Sequence, residues 1–325
     1  MQDDLKRYVL ISVNPKAGRR SPRIRTERLA AALRRKRFVV EIHTDLDAVS
    51  KRTNELFEKG LLQALVAVGG DGTAAELTNR TVPGAPLTLL PSGTANLIAK
   101  YLKLPFNPEK AADVIESGKT ISFDVGRANG RLFLVMVSAG IDADIVNGVH
   151  SAREKSYKLN RKKGAHISYL SYLKPIFNSI GSYKYPKITT EILDGSEPVS
   201  ITGKWSFVFN LPRYGWGVPL VPKCVGVDQK LDYCIFQGGK LGMALIDMFF
   251  AQLGSLHQFL PNTKLGQASR FRISVVSDEP DVDVPFQLDG DPGGRLPVEI
   301  EILPNRFTVL APAKVVDKLE RARNR

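Results

Sequence analysis

The residues best suited to chemistry sit at Gly69-Gly70-Asp71-Gly72-Thr73. Three glycines strip side chains from a turn, so a phosphate chain can approach the backbone. Asp71 adds the carboxylate that a phosphate-bound Mg²⁺ needs. The run before it, Ala64–Val68, is short, apolar and rich in β-branched residues, as in a strand buried on both faces. Apolar residues at helical spacing follow from Ala74 to Leu77, with Glu76 among them. Strand, glycine turn and helix start together aim several N–H groups at an anion. Two other turns share this character. Asn14-Pro15-Lys16-Ala17-Gly18 follows the strand-like run Arg7–Val13, and Pro91-Ser92-Gly93-Thr94-Ala95-Asn96 follows Leu87–Leu90.

Other readings of the central turn are open. Gly70–Ala75 fits the GxGxxA dinucleotide pattern, but that reading expects an acidic residue at the end of the next strand, where the chain has Pro91-Ser92. No Gly-Lys-Ser/Thr follows the glycines, so a Walker A loop is absent. A tight turn with no ligand is the third reading. The conjunction of three phosphate-friendly turns on one sheet edge favours a nucleoside triphosphate.

The elements that must position these turns alternate. Strands are expected at Arg7–Val13, Phe38–Thr44, Ala64–Val68 and Leu87–Leu90. Helices are expected at Ser21–Arg37, Leu46–Lys59, from Ala74 to about Asn79, and Pro108–Gly118. That alternation predicts a doubly wound parallel sheet, whose ligands bind beyond the carboxyl ends of the strands. From about Ile121 the pattern changes to short strands between Gly/Pro turns: Phe123–Arg127, Arg131–Ala139, Lys187–Leu193, Trp205–Leu211, Lys230–Gln237, Phe271–Val276 and Val298–Leu303. These predict an antiparallel β-sandwich. Helices are expected at Ala165–Ser179, after a basic run from Arg153 to Lys163, and at Leu241–Leu260. A last strand, Arg306–Ala311, precedes a charged tail. The expected fold is α/β plus β, with an α/β domain over 1–125 joined by 306–325 and a sandwich over 126–305.

Composition narrows the function classes. The apolar fraction of 43 % is ordinary for a globular chain. Two cysteines, Cys224 and Cys234, make no disulfide or metal framework, and Met1–Gly18 lacks the apolar core of a signal peptide. No apolar run approaches the roughly 18–20 residues of a membrane span. A cytoplasmic chain is expected. Net charge is +13; without helix-turn-helix, RNP or zinc-finger signatures, it speaks for an anionic membrane surface or solubility and against nucleic acid. Oligomeric state is open, a homodimer included.

In order and spacing, Asn14–Gly18, Gly69–Thr73 with Glu76, and Pro91–Asn96 resemble the motifs of the bacterial diacylglycerol-kinase-like lipid kinases, a family that includes sphingosine and ceramide kinases. The likeness continues at Ala139-Gly140-Ile141-Asp142, Tyr214-Gly215-Trp216-Gly217, Val227–Asp232 and Gln287-Leu288-Asp289-Gly290-Asp291. It implies transfer of the γ-phosphoryl of Mg-ATP to the hydroxyl of a membrane lipid, diacylglycerol foremost, by a peripherally membrane-associated enzyme. On that reading Asn14, Pro15, Lys16, Ala17, Gly18, Thr44, Gly69, Gly70, Asp71, Gly72, Thr73, Glu76 and Thr94 form the nucleotide site. Asp71 binds the catalytic Mg²⁺, Arg20 or Arg23 reaches the γ-phosphate, and Asp291 takes the hydroxyl proton. The family usually carries glutamate where this chain has Asp291, a side chain shorter by one methylene, about 1.5 Å. The loop at Asp228 holds a structural Mg²⁺ in the family, and here Gln229 replaces the usual glycine after it. NAD kinases share Gly-Gly-Asp-Gly-Thr but not Pro-Ser-Gly-Thr-Ala-Asn. A nucleotide-binding regulator without turnover is the non-enzymatic alternative.

Overall fold

The computed structural model describes residues 7–13, 22–159, 186–238, 246, 249–276 and 282–324. The helix expected at Ala165–Ser179, most of the first half of that at Leu241–Leu260, and the Asn14–Gly18 turn with Arg20 lie outside the described residues. The chain divides into two compact units, Met1–Val125 with Pro304–Arg325, and Gly126–Leu303.

The first unit alternates strand and helix: β1 (Tyr8–Val13), α1 (Pro22–Arg35), β2 (Val39–His43), α2 (Leu46–Glu58), β3 (Leu62–Gly69), α3 (Asp71–Arg80), β4 (Pro86–Pro91), α4 (Leu97–Tyr101) and α5 (Pro108–Ser117). Local signals set these limits. The Asp45 side chain caps α2 by accepting from Ala48 N at 2.7 Å, and Asn107 caps α5 ahead of Pro108. Gly118 ends α5 in the left-handed region. The parallel strand order is β2-β1-β3-β4, then the last part of β16 (Val298–Leu310). Val9, Ile11, Val66 and Val68 pack with Leu29 and Leu33 of α1 and Ala112 and Ile115 of α5. Each valine, leucine and isoleucine among them contributes roughly 1.5–3 kcal/mol on burial. The returning strand is fastened by polar bonds as well. Arg306 donates to Thr78 O at 3.0 Å and Thr81 O at 2.7 Å at the end of α3, and Thr88 Oγ1 donates to Leu310 O. The terminal residues, read from sequence as a charged tail, form α7 (Ala313–Arg323), with Val315, Val316 and Leu319 buried on one face.

The second unit holds the last residues of β5 (Thr120–Ala128), β6 (Arg131–Phe133), β7 (Met136–Ala139), α6 (Ile141–Leu159), β8 (Ile188–Ile192), β9 (Val199–Gly203), β10 (Trp205–Phe209), β11 (Leu231–Phe236), β12 (Thr263–Ala268), β13 (Arg270–Val275), β14 (Pro285–Leu288), β15 (Asp291–Arg295) and the start of β16. One sheet runs β12-β11-β10-β7-β14-β15 with antiparallel pairs. The other runs β16-β13-β8-β9, with β5 beside β16 and β6 beside β5. Phe286, Leu288, Val208 and Leu231 from the first sheet share a core with Phe271, Ile273, Val298 and Ile300 from the second. This is the α/β-plus-sandwich architecture that the strand pattern predicts. Helix α6 is the largest addition to that expectation, and Arg153, Lys155 and Lys158 of the basic run fall on it.

Candidate functional site

The strand order of the first unit reverses direction between β1 and β3, which makes that boundary the switch point of the sheet. Register brings the carboxyl ends together. Val13 lies beside Val68, Ser12 beside His43, and Gly69 beside Pro91. The chain therefore leaves four neighbouring strand ends toward Asn14, Thr44, Gly70 and Ser92. Thr44 is an exposed bend residue after β2.

The second and third of the phosphate-friendly turns are locked to each other. Ser92 N donates to Gly69 O at 2.9 Å. A Cβ on Gly93 would stand 2.5 Å from Gly70 Cα, so neither position accepts a side chain without parting the loops. At Gly69 the vacant side is filled by the Thr73 side chain. These glycines thus answer first to the close approach of the two turns, a reason the sequence alone did not reveal. Asn96, in the left-handed region at φ 50°, clasps Gly93 on both sides. Its Oδ1 accepts from Gly93 N at 2.9 Å and its Nδ2 donates to Gly93 O at 2.8 Å.

Asn96 precedes α4 but gives it no side-chain cap. Asp71 does so from the other loop: Oδ2 accepts from Leu97 N and Oδ1 from Ile98 N, each at 2.9 Å. Burial lifts the Asp71 carboxyl above its ordinary value, against the pull of the Ile98 and Leu97 N–H groups and the Lys100 charge. Its two oxygens accept from three backbone N–H groups, those of Ile98, Leu97 and Asp71 itself, which still leaves the carboxylate acceptor capacity. A single carboxylate with spare lone pairs, beside substrate phosphates and water, is a donor set that suits Mg²⁺. Ser92 Oγ, in the turn that leads to α4, is buried with no hydrogen-bond partner among the described residues. Gly70 offers α3 no side-chain cap, and the leading N–H groups of a helix lack intrahelical acceptors.

Thr73 is buried and Thr94 half-buried. Glu76 pairs with Arg80 one helical turn on, at 3.2 Å. Arg23 is exposed and pairs with Glu27 at 2.8 Å. Arg25, not singled out from the sequence, donates to Pro91 O and Phe106 O at 2.6 Å each and so braces the entry to the Pro91–Asn96 turn.

In the second unit, Gln287–Asp291 spans a tight hairpin tip. Asp289 and Gly290 have φ values of 51° and 90°, the conformation of a two-residue turn between β14 and β15. The Asp289 carboxylate accepts from Leu134 N, Val135 N and Met136 N at 2.7–2.9 Å, filling the break between β6 and β7. Gln287 Oε1 accepts from Gly290 N at 2.8 Å, while its Nε2 donates to Ser138 Oγ at 2.8 Å and Asp142 Oδ2 at 3.1 Å. Asp142 also accepts from Ser138 Oγ and the Tyr214 hydroxyl. Burial raises its carboxyl despite these three donors. Asp291 itself is 39 % exposed. Asp228, the other expected metal ligand, accepts from Lys230 N at 3.3 Å. Gln267 Nε2 bridges it to Asp232 at 3.2 Å on each side, so an amide stands where two carboxylates would share a cation.

Comparison with known proteins finds relatives that share these loops' stretch of chain. Residues 8–128 match the model of the diacylglycerol kinase catalytic domain. A diacylglycerol kinase of Mycobacterium tuberculosis is 28 % identical over 258 residues, covering 77 % of each chain. One of Staphylococcus epidermidis is 25 % identical over 261 residues, covering 78 % of this chain and 76 % of its own. The crystal structure of a diacylglycerol kinase from Bacillus anthracis matches with a TM-score of 0.64 at 19 % identity, over 95 % of this chain and 98 % of that one, a likeness of fold. The catalytic-domain match covers both glycine turns and the relatives align across most of the length, so the chain is similar to diacylglycerol kinases in sequence and in fold.

Proposed function

We propose that this kinase transfers the γ-phosphoryl group of Mg-ATP to the hydroxyl of a membrane lipid, with diacylglycerol as acceptor and phosphatidic acid as product. The observation that carries this reading is the diacylglycerol kinase catalytic-domain match over 8–128, which contains both interlocked turns. Gly69–Thr73, Ser92, Thr94 and the Asn14–Gly18 turn hold the phosphates, and Asp71 holds Mg²⁺ while it ties the loops together. When bound, Mg²⁺ neutralises charge on the phosphates. Asp291 accepts the proton as the lipid oxygen bonds to the γ-phosphorus, and the bond from that phosphorus to the β,γ-bridging oxygen breaks to release ADP. Phosphoryl transfer asks mainly for positioning and charge stabilisation, which suits loops built from backbone and held by side chains.

A lipid acceptor also asks for contact with a bilayer. Ile246, Phe249, Leu253, Leu256 and Phe259 are all exposed, Phe259 by 76 %. They suit a surface resting on the membrane, and the positive net charge favours an anionic one. Among the described residues no helix is long and apolar enough to cross a membrane. The test is radiolabelled ATP with diacylglycerol, monoacylglycerol, ceramide, sphingosine and NAD in mixed micelles. Label in phosphatidic acid is the expected result; label only in NADP, or none in any lipid, refutes the reading.

A further inference from the structure

We propose that His150 is a positioning residue for Asp291, fixing the carboxylate at the hairpin tip. This rests on the reading of Asp291 as the base. His150 Nε2 lies 3.1 Å from Gly290 O and 3.3 Å from Asp291 Oδ1. A carbonyl oxygen can only accept, so Nε2 carries the hydrogen, shared between that carbonyl and the carboxylate. Arg131, on β6, stands 3.7 Å from Asp291 Oδ2. Each oxygen of the carboxylate therefore has one cationic or N–H neighbour, and its exposed side faces outward.

The histidine is itself held by a rigid frame. Helix α6 packs on β14 and β15 and is fastened to the hairpin at two places. In its first turn, Asp142 binds the Gln287 amide, whose oxygen caps the turn at Gly290 N. Eight residues on, about 12 Å along the axis, His150 meets Gly290 and Asp291. The Tyr214 hydroxyl and Ser138 Oγ hold Asp142 from the other side. Such a clamp fixes the backbone of the tip, while His150 and Arg131 pair with the Asp291 side chain itself. A carboxylate free to rotate would spend little time in line with a hydroxyl, and misplacement by about 1 Å costs roughly 100-fold in rate.

The test compares H150A, H150Q, D291N and the H150A/D291N double variant, using the lipid that the wild-type chain phosphorylates best. H150A is expected to lower kcat by about 10- to 100-fold with KM for ATP unchanged. H150Q, which offers an amide N–H at similar reach, is expected to recover most of that loss. The double variant is expected to be no slower than D291N. Wild-type kcat in H150A, or equal loss in H150A and H150Q, overturns the inference while leaving the Asp291 reading intact. Wild-type turnover in D291N removes that reading and the inference with it. The ¹⁵N resonance of His150 Nε2 gives a readout independent of activity and of whether H150A folds. D291N is expected to shift it, and an unmoved resonance counts against the contact.

Discussion

Asp71 serves two loops at once. Its oxygens accept from Leu97 N and Ile98 N, and an amide at that position could accept with only one atom while turning an N–H toward the other donor. D71N should therefore do more than remove the carboxylate proposed to hold Mg²⁺. Loss of a helix cap costs roughly 0.5–2 kcal/mol, so its melting temperature should fall along with turnover. A variant that loses activity with an unchanged melting curve would mean that the cap carries no weight. Asp232 provides a second test at this scale. Burial raises its carboxyl to about 6, relieved in part by donors from Gln267 and Cys224 and aggravated by the charge of Asp228. Between about pH 4 and 6 the folded chain keeps a proton that the unfolded chain has released, so this group's contribution to stability falls as pH rises through that window. D232N lacks the penalty. Its stability relative to wild type should climb by up to about 3 kcal/mol from pH 4 to 6 and then level off. Denaturation curves that stay parallel across that range would contradict the assignment.

At the level of elements, the approach of two turns decides more than either turn alone. G93A places a methyl group against Gly70 Cα at 2.5 Å, and that Cα is backbone, which cannot rotate aside as a flexible side chain would. The loops must separate, at about 1–3 kcal/mol, and the Ser92 N to Gly69 O bond should open. ATP binding, followed by calorimetry, should weaken more than the melting temperature falls; unaltered binding would show that the loops need no contact. The elements missed in the sequence share a physical cause. Strand β15 reads Asp-Pro-Gly-Gly-Arg, poor in strand formers, yet it pairs with β14, and Gly293 leaves the room that the Phe286 and Leu288 side chains occupy. Helix α6 buries Ala143, Val146 and Val149, but Asp142, Asp144 and Gly148 blur that stripe. Strand β16 runs unbroken through Pro304 and Asn305, where residue types argue for a stop. There Asp124 Oδ1 receives Asn305 N at 2.9 Å, a pairing across 181 residues.

For the molecule as a whole, the exposed apolar residues from Phe249 to Phe259 set the expected behaviour at a bilayer. Removing one phenylalanine from a membrane interface forfeits roughly 1.5–3 kcal/mol, about tenfold or more in partitioning. F249S/F259S should bind vesicles of mixed phosphatidylcholine and phosphatidylglycerol far more weakly than wild type, with phosphorylation of a lipid in detergent micelles less affected. Wild-type binding should also weaken with salt, since exposed charges are screened within about 8–10 Å at physiological ionic strength. Sedimentation that is equal for both proteins would place the membrane contact elsewhere.

The amino-acid sequence by itself determined the two architectures, the alternation that makes a parallel sheet, and the glycine turns at its carboxyl edge. Those features rest on local periodicity, turn chemistry and the fixed hand of strand–helix connections. Tertiary structure decided what the side chains at those turns are for. Asp71 caps a helix 26 residues away, Asn96 clasps Gly93 instead of capping α4, and Asp291 meets a histidine 141 positions earlier in the chain. No local pattern encodes such meetings, because they depend on which faces the packed core turns toward one another.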